Sequence, residues 1–453
     1  MKTAEINNYA EQVMAEFKLP SLGVGIYHHG ETFSHVYGDG QEDTLYPLAS
    51  ISKTFFATAI CKLAESGKID LDQPLKKYWP ALKLADPYTT DHITWRDALS
   101  HQSGLPAHDL MRFTNCNQQD LTLAQKVAAI GHLEPNHELR VEMQYSNLIF
   151  AVATYVMEQV INDSYGSYIC KNLLEPLNLH DTYINHHECD ATRIAKPYLL
   201  DHGKLMQVPF IAPGKVGGAS SMLASISDLL KWGQFQLKTA QTGKGITMQR
   251  YEPQSIMQPD RSYGGANFAN YGLGMMMEDY RGYKYFFHSG SYIGYCSFLG
   301  FVPELDLAFV FTMNMDSTDA IFALAYQTID AVIGQQDKDW IKEASDYMKQ
   351  RSLTKRAKFD KHRGANPQSV PADADLLGDY QNDGYGIVTI SSENDQLMAT
   401  IGKWKFPIIQ NERGEKFVEL AVDDELLAIN FTNHGLELMT EPALKHPTAF
   451  VKE

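Results

Sequence analysis

Ser50-Ile51-Ser52-Lys53 sets a hydroxyl three residues before an amine. Residues three apart on a helix share a face, so the lysine stands where it can take the serine's proton. Behind the pair, Ile51, Phe55, Ala59, Ile60, Leu63 and Ala64 recur at three- and four-residue steps, with Gly67 just past them. The spacing predicts a helix with one buried face that opens at Ser50. A helix N-terminus offers unsatisfied N–H groups and the positive end of the dipole, which favour the negative charge that develops in acyl transfer. The same spacing also fits an ordinary helix-start serine. A second match, Ser352-Leu353-Thr354-Lys355, lies in a charged segment with no sustained apolar face and reads as incidental.

Two further groups bear chemistry. Tyr145-Ser146-Asn147 precedes Ile149, Ala153, Val156, Val160 and Ile161, which places Tyr145 and Asn147 at a loop-to-helix junction. Alone, the pair reads equally as a hydrogen-bonded aromatic and a helix cap, and Tyr380-Gln381-Asn382 repeats the pattern. His288-Ser289-Gly290-Ser291 follows an apolar strand at 283–287 and is expected to break it. That break sets an imidazole and exposed backbone N–H groups at a sheet edge; the alternative is a strand-end histidine with a satisfied ring. His101, before the loop 102–106, reads as structural, whereas His108 beyond Pro106 is a candidate to line a cleft. His180, His186, His187 and Cys189 crowd one segment without the paired spacing of structural zinc sites, so no metal or other cofactor is expected. No G-x-S-x-G elbow surrounds Ser220.

The elements that must position these groups follow in order. Residues 3–18 read as an amphipathic helix, 22–27 and 33–37 as a hairpin around His29-Gly30, and Thr94 with Asp97 as the cap of a short helix. The run 213–221 is glycine-rich and reads as a flexible loop before a helix capped by Ser227. Strands at 296–302 and 307–313 precede a helix at 320–333. Residues 349–363 hold seven Lys or Arg, and with Pro367 and Pro371 they read as a linker. From residue 376 short alternating strands separated by Asn382-Asp383-Gly384 and Asn433-His434-Gly435 predict a small all-β unit. The expected organisation is a mixed α/β domain over 1–345, a linker over 346–372 and an all-β domain over 373–453.

At 453 residues the chain has ample core for two or three domains. A net charge of −16 argues against nucleic acid and anionic membrane surfaces as partners. No stretch reaches transmembrane length, and residues 1–20 lack a basic region followed by an apolar core. Five scattered cysteines (61, 116, 170, 189 and 296) without C-x-x-C read as reduced thiols, so a cytoplasmic location is expected.

Ser50-x-x-Lys53, then Ser103-Gly104-Leu105-Pro106, then Tyr145-x-Asn147, then the His288-x-Gly290 strand end occur in one order along residues 5–335. Taken together they resemble the serine β-lactamase and penicillin-binding-protein superfamily, in its class C-like branch with D-aminopeptidases, D-alanyl-D-alanine carboxypeptidases and carboxylesterases. The tail resembles the lipocalin-like β-domain appended to some of these hydrolases. The resemblance implies an α+β domain with an antiparallel sheet and a helical lobe. It implies Ser50 as the acylated nucleophile, Lys53 as its activator, and Tyr145 as the general base that protonates the leaving group. Asn147 would contact the substrate amide, and the N–H groups of Ser50 and Ser291 would form the oxyanion hole beside Gly290 and His288. A flanking Lys⁺ would lower the Tyr145 pKa by favouring phenolate.

His288 departs from the K-T-G lysine of β-lactamases, and His108 stands where the class C enzymes have a substrate-contacting glutamine. An imidazole is mostly neutral near pH 7, where a lysine offers a permanent charge to a substrate carboxylate. The expected activity is therefore metal-free hydrolysis of amide bonds in small peptides, including D-residue peptides, through a Ser50 acyl-enzyme. A carboxylesterase or weak β-lactamase of the same fold is the alternative, and a non-catalytic binder of peptides or small molecules is the reading from a different class.

Overall fold

A computed structural model describes residues 3–111, 121–201, 203–212, 216–257, 266–420 and 424–453. The chain divides into two compact units. One holds Met1–Pro80, His92–Gln102 and Ile149–Met348; the other holds Ala81–Asp91, Ser103–Leu148 and Lys349–Glu453.

The first unit is built on an eight-stranded antiparallel sheet. Its spatial order is Glu31–Gly38, Ser21–His28, Leu307–Met313, Tyr295–Val302, Tyr283–Tyr292, Met276–Tyr280, Ala269–Tyr271 and Ser255–Met257. Tyr295–Val302 and Leu307–Met313 are buried at every position, as strands covered on both faces must be. On one face lie the helices Thr3–Phe17 and Thr318–Ile333, whose Val13, Phe17, Ile321 and Phe322 share a core with Phe298, Phe309 and Phe311. The other face takes the helix Ile226–Thr242. Gly23 and Gly25 let it approach, since a Cβ on them would stand 3.3 Å from Ile226 and 3.2 Å from Leu230. Trp232 of that helix stacks on Phe55 at 3.8 Å and donates its indole N–H to Thr54 Oγ1 at 2.8 Å. Both partners sit on the helix Ser52–Glu65, which is thereby locked in place.

Two expectations need correction. The strand expected to break at His288 runs on to Tyr292, because residues 288–291 keep their ladder with Cys296–Leu299 before the chain turns. Serine and glycine lower local strand propensity, but a paired neighbour decides. The helix expected to start at Ser227 is capped by Ser225, whose side chain accepts from the Asp228 N–H. The Thr94–Asp97 capping box is present.

In the second unit eight strands from Gly378–Asn382 to Thr448–Lys452 pair antiparallel, each with the next, and the last pairs with the first. The sheet is thus a closed up-and-down barrel, as a lipocalin-like unit requires. Gln368–Ser369 adds to the strand Trp404–Gln410. The basic run 349–363 forms the later part of the helix Trp340–Arg363. Among the described residues no helix is long and apolar enough to cross a membrane.

Candidate active site

Ser50 is the middle residue of a 3-10 turn, Ala49–Ile51, that leads directly into the helix Ser52–Glu65. The turn is anchored on both sides. Leu48 N–H donates to Met222 O at 2.8 Å, Ser297 Oγ donates to Leu48 O at 2.7 Å, and Met222 N–H donates to Ser52 Oγ at 3.2 Å. Ala49 takes φ +46°, a left-handed conformation that costs a non-glycine residue about 1–3 kcal/mol. Those three hydrogen bonds over-determine the turn and hold the strain beside the serine.

Lys53, one turn further on, is fully buried. Its Nζ lies 3.1 Å from Ser50 Oγ, 2.9 Å from Ala219 O and 5.3 Å from the centroid of the Phe150 ring. Burial pushes its pKa well below the ordinary lysine value. That favours the free amine, the form with a lone pair to receive a proton. The expected standing Lys⁺ therefore meets the opposite pressure here, because water is excluded from the ammonium.

Ala219 ends a buried turn, Gly217–Ala219. Gly218 N–H donates to Thr154 Oγ1 at 3.0 Å, and a Cβ on Gly218 would stand 2.4 Å from Phe56. These glycines, expected in a flexible loop, are packed so tightly that they aim a carbonyl at Lys53. Residues 213–215 of that loop lie outside the described residues.

His288 is also fully buried. Its Nδ1 lies 2.7 Å from Ser289 O and its Nε2 2.9 Å from Tyr271 Oη. A carbonyl can only accept, so Nδ1 carries the hydrogen and Nε2 accepts from the tyrosine. Burial, then the nearby Lys53 charge, takes its pKa down to about 3, so the imidazole is neutral. His101, at φ +58°, packs 4.8 Å from the Tyr271 ring and 5.0 Å from Phe150 and is likewise buried.

The family model described as Beta-lactamase matches residues 6–332. The chain belongs to the beta-lactamase family. It is 24% identical over 364 residues, 75% of this chain and 68% of the relative, to a protein named unguisins hydrolase from Aspergillus campestris. The octameric penicillin-binding protein homologue from Pyrococcus abyssi aligns over 100% of both chains at 21% identity and a TM-score of 0.66. The D-amino acid amidase from Ochrobactrum anthropi aligns over 72% of this chain and 99% of its own at 21% identity and a TM-score of 0.61. Both solved structures share the fold.

In this beta-lactamase-family chain Tyr145 and Asn147 lie in the second unit, at the start of the helix Asn147–Ile161, where Ser146 Oγ donates to Pro106 O at 3.1 Å. Phe150, which approaches Lys53, is on the first turn of that helix. His108 is an interior residue of the second unit at 1% exposure, not the lining of a cleft. Its Nδ1 lies 2.6 Å from Tyr385 Oη, its Nε2 3.0 Å from Glu134 O, and its N–H donates to Glu441 Oε2 at 2.7 Å. Both ring nitrogens are thus occupied. The rings of His186 and His187 lie 3.6 Å apart and tilted by 45°, and Cys189 Sγ donates to His186 O. Among the described residues no group of three or more His, Cys, Asp or Glu is placed to hold a metal. Cys61, Cys170, Cys189 and Cys296 are free thiols, and Cys116 lies outside the described residues.

Sequence reasoning missed Ala219, Tyr271 and the Leu48–Ser297 anchor. The Gly217-Gly218 pair was a readable signal of close backbone approach. A carbonyl contact or a tyrosine on a three-residue strand leaves no pattern in a sequence.

Proposed function

We propose that the protein is a serine hydrolase that cleaves amide bonds of small peptides through an acyl-enzyme on Ser50. The observation that carries this reading is the buried Lys53 amine 3.1 Å from Ser50 Oγ. A neutral amine at that distance takes the hydroxyl proton as Oγ attacks the scissile carbonyl. The oxyanion then forms against the N–H groups of Ser50 and Ser291, with Gly290 keeping the strand close to the Ser50 turn. When the C–N bond breaks, the leaving amine takes a proton, and we assign its delivery to Tyr145. Asn147 is assigned to the substrate amide. Water attacks the ester carbonyl in the second half, with the same groups accepting and returning the proton, and frees the acid and Ser50.

His288 is assigned a supporting role: as a neutral ring tied to Tyr271, it shapes the site beside Lys53 without offering a charge to a substrate carboxylate. The relative named as an unguisins hydrolase supports hydrolysis, and the fold neighbour named as a D-amino acid amidase supports amide bonds as the kind cleaved.

The test is intact-protein mass after exposure to a fluorophosphonate, for the wild type and Ser50→Ala. A single adduct that disappears in the variant supports the reading. No adduct on folded wild-type protein sinks it.

A further inference from the structure

Thr154 lies midway along the helix Asn147–Ile161, fully buried, in the part of it that belongs to the first unit. A buried hydroxyl in a helix is disfavoured unless its hydrogen-bonding capacity is used. Here both its donor and its acceptor are used. The hydroxyl donates to Phe150 O at 2.7 Å, one turn back, and accepts the Gly218 N–H at 3.0 Å. The methyl closes the same contact from the side, since a Cβ on Gly217, at φ +58°, would stand 2.5 Å from Thr154 Cγ2. Beyond the turn, Ser221 Oγ donates to Gly217 O at 3.2 Å and receives the Tyr165 hydroxyl. The second bond of Thr154 is not what any buried helical threonine makes. Thr58, equally buried, makes the backward bond, to Thr54 O at 2.7 Å, and among the described residues no N–H reaches its oxygen.

Both contacts of Thr154 lead to Lys53. Phe150 sets its ring 5.3 Å from Nζ, and Gly218 precedes Ala219, whose carbonyl accepts from Nζ at 2.9 Å. Resting on the reading of Ser50 as nucleophile and Lys53 as its base, we propose that Thr154 is a positioning residue for acylation: its hydroxyl holds the Gly217–Ala219 turn so that the Ala219 carbonyl orients the Lys53 amine toward Ser50.

A neutral lysine amine carries two N–H bonds and one lone pair. With one N–H held by Ala219 O, the amine no longer turns freely, and its lone pair is kept for Ser50 Oγ, 3.1 Å away. As the proton passes from Oγ to Nζ, the carbonyl comes to accept from an ammonium, which is the stronger bond. The held carbonyl therefore favours the transfer as well as aiming it. A turn released from Thr154 would lose both effects, because glycines 217 and 218 have no side chain to hold it elsewhere.

The experiment follows fluorophosphonate labelling of Ser50 across reagent concentrations, separating the maximal labelling rate from the half-saturating concentration. Thr154→Val keeps the shape and removes the acceptor for the Gly218 N–H. Its maximal rate should fall by about tenfold or more, toward the roughly 100-fold loss that a displacement of about 1 Å brings. The half-saturating concentration should stay within about twofold of wild type, as expected when a step after binding is impaired. Thr154→Ser restores the hydroxyl without the methyl and should recover most of the lost rate. Urea midpoints taken alongside report whether each variant is folded. Should the valine variant not fold, Thr154→Ala removes the same acceptor with less bulk. A folded valine or alanine variant that labels at the wild-type rate would overturn the inference while leaving the hydrolase reading intact. A slowed variant whose rate serine does not restore would overturn it equally. Absence of labelling in the wild type would remove the hydrolase reading, and the inference with it.

Discussion

Gly290 stands so close to Leu48 that an added Cβ would lie 2.2 Å from the Leu48 carbonyl oxygen and 2.4 Å from Ser297 Oγ. The strand that carries His288 and Ser291 therefore packs against the backbone that carries Ser50, with no side chain between them. A glycine is required here by proximity, not by its backbone angles.

Gly290→Ala should push that strand and the Ser50 turn apart. The expected cost is about 1–3 kcal/mol of stability, typical of overpacking a tight contact. Acylation should fall by about 100-fold, because a displacement of about 1 Å is enough for that loss. Denaturant midpoints and the rate of fluorophosphonate labelling measure the two effects. A variant that labels at the wild-type rate would contradict the packing argument.

Ser297→Ala tests the same anchor without adding bulk. It removes the 2.7 Å hydrogen bond to Leu48 O and leaves a buried carbonyl with one donor fewer. The expected loss is about 1 kcal/mol in melting experiments. If the turn holds Ser50 for attack, kcat should drop more than KM changes.

Lys53 carries a pH prediction. Its pKa is lowered in the folded protein, so the amine is free at a pH below the ordinary lysine value of about 10.4. Acylation should rise with pH as the ammonium loses its proton, with a midpoint below that value. Lys53→Arg keeps a charge but offers no lone pair, so the rate should fall by about 100-fold or more and lose that pH dependence. A Lys53→Arg enzyme with the wild-type profile would show that another base does this work.

His288 predicts acid sensitivity of the fold. Its folded pKa, about 3, lies below the unfolded value of about 6.5, so the unfolded chain binds more protons between the two. Stability should be fully present above about pH 6.5 and fall as pH drops toward 3, by up to about 1.4 kcal/mol per pH unit for this one group. Urea midpoints between pH 7 and 4 should show a shallower slope in His288→Gln. An unchanged slope would mean that the ring does not stay neutral on acidification.

In the second unit, the 2.6 Å contact between His108 and Tyr385 ties the segment 103–148 to the barrel. Tyr385→Phe should leave a buried ring nitrogen unpaired and cost about 1–3 kcal/mol. Proteolysis of the variant should then begin earlier within 103–148. Equal protection would show that the contact is not part of what holds that segment.

Much of this architecture was written locally. The apolar steps from Ile51 to Ala64 specified a buried helix, although it opens at Ser52 rather than Ser50 and is buried nearly all round, and the Ser50–Lys53 spacing set the pair within reach of each other. The Thr94–Asp97 box and the alternating strands after residue 376 were equally legible, since capping and strand period are local. What lay beyond reach was pairing and contact. That the strand would continue through His288-Ser289-Gly290-Ser291 depended on its hairpin register with Cys296–Leu299, which residue types alone do not report. That Ala219 would face Lys53, Ser297 would hold Leu48, and His108 would turn inward to Tyr385 came from contacts separated by 166, 249 and 277 residues. The sequence by itself determined which side chains could do acyl transfer and which helix would carry them. Only the tertiary structure decided their charge states and surroundings, because burial and the approach of distant backbone, not spacing along the chain, set the pKa of Lys53 and bring the Ala219 carbonyl to its amine.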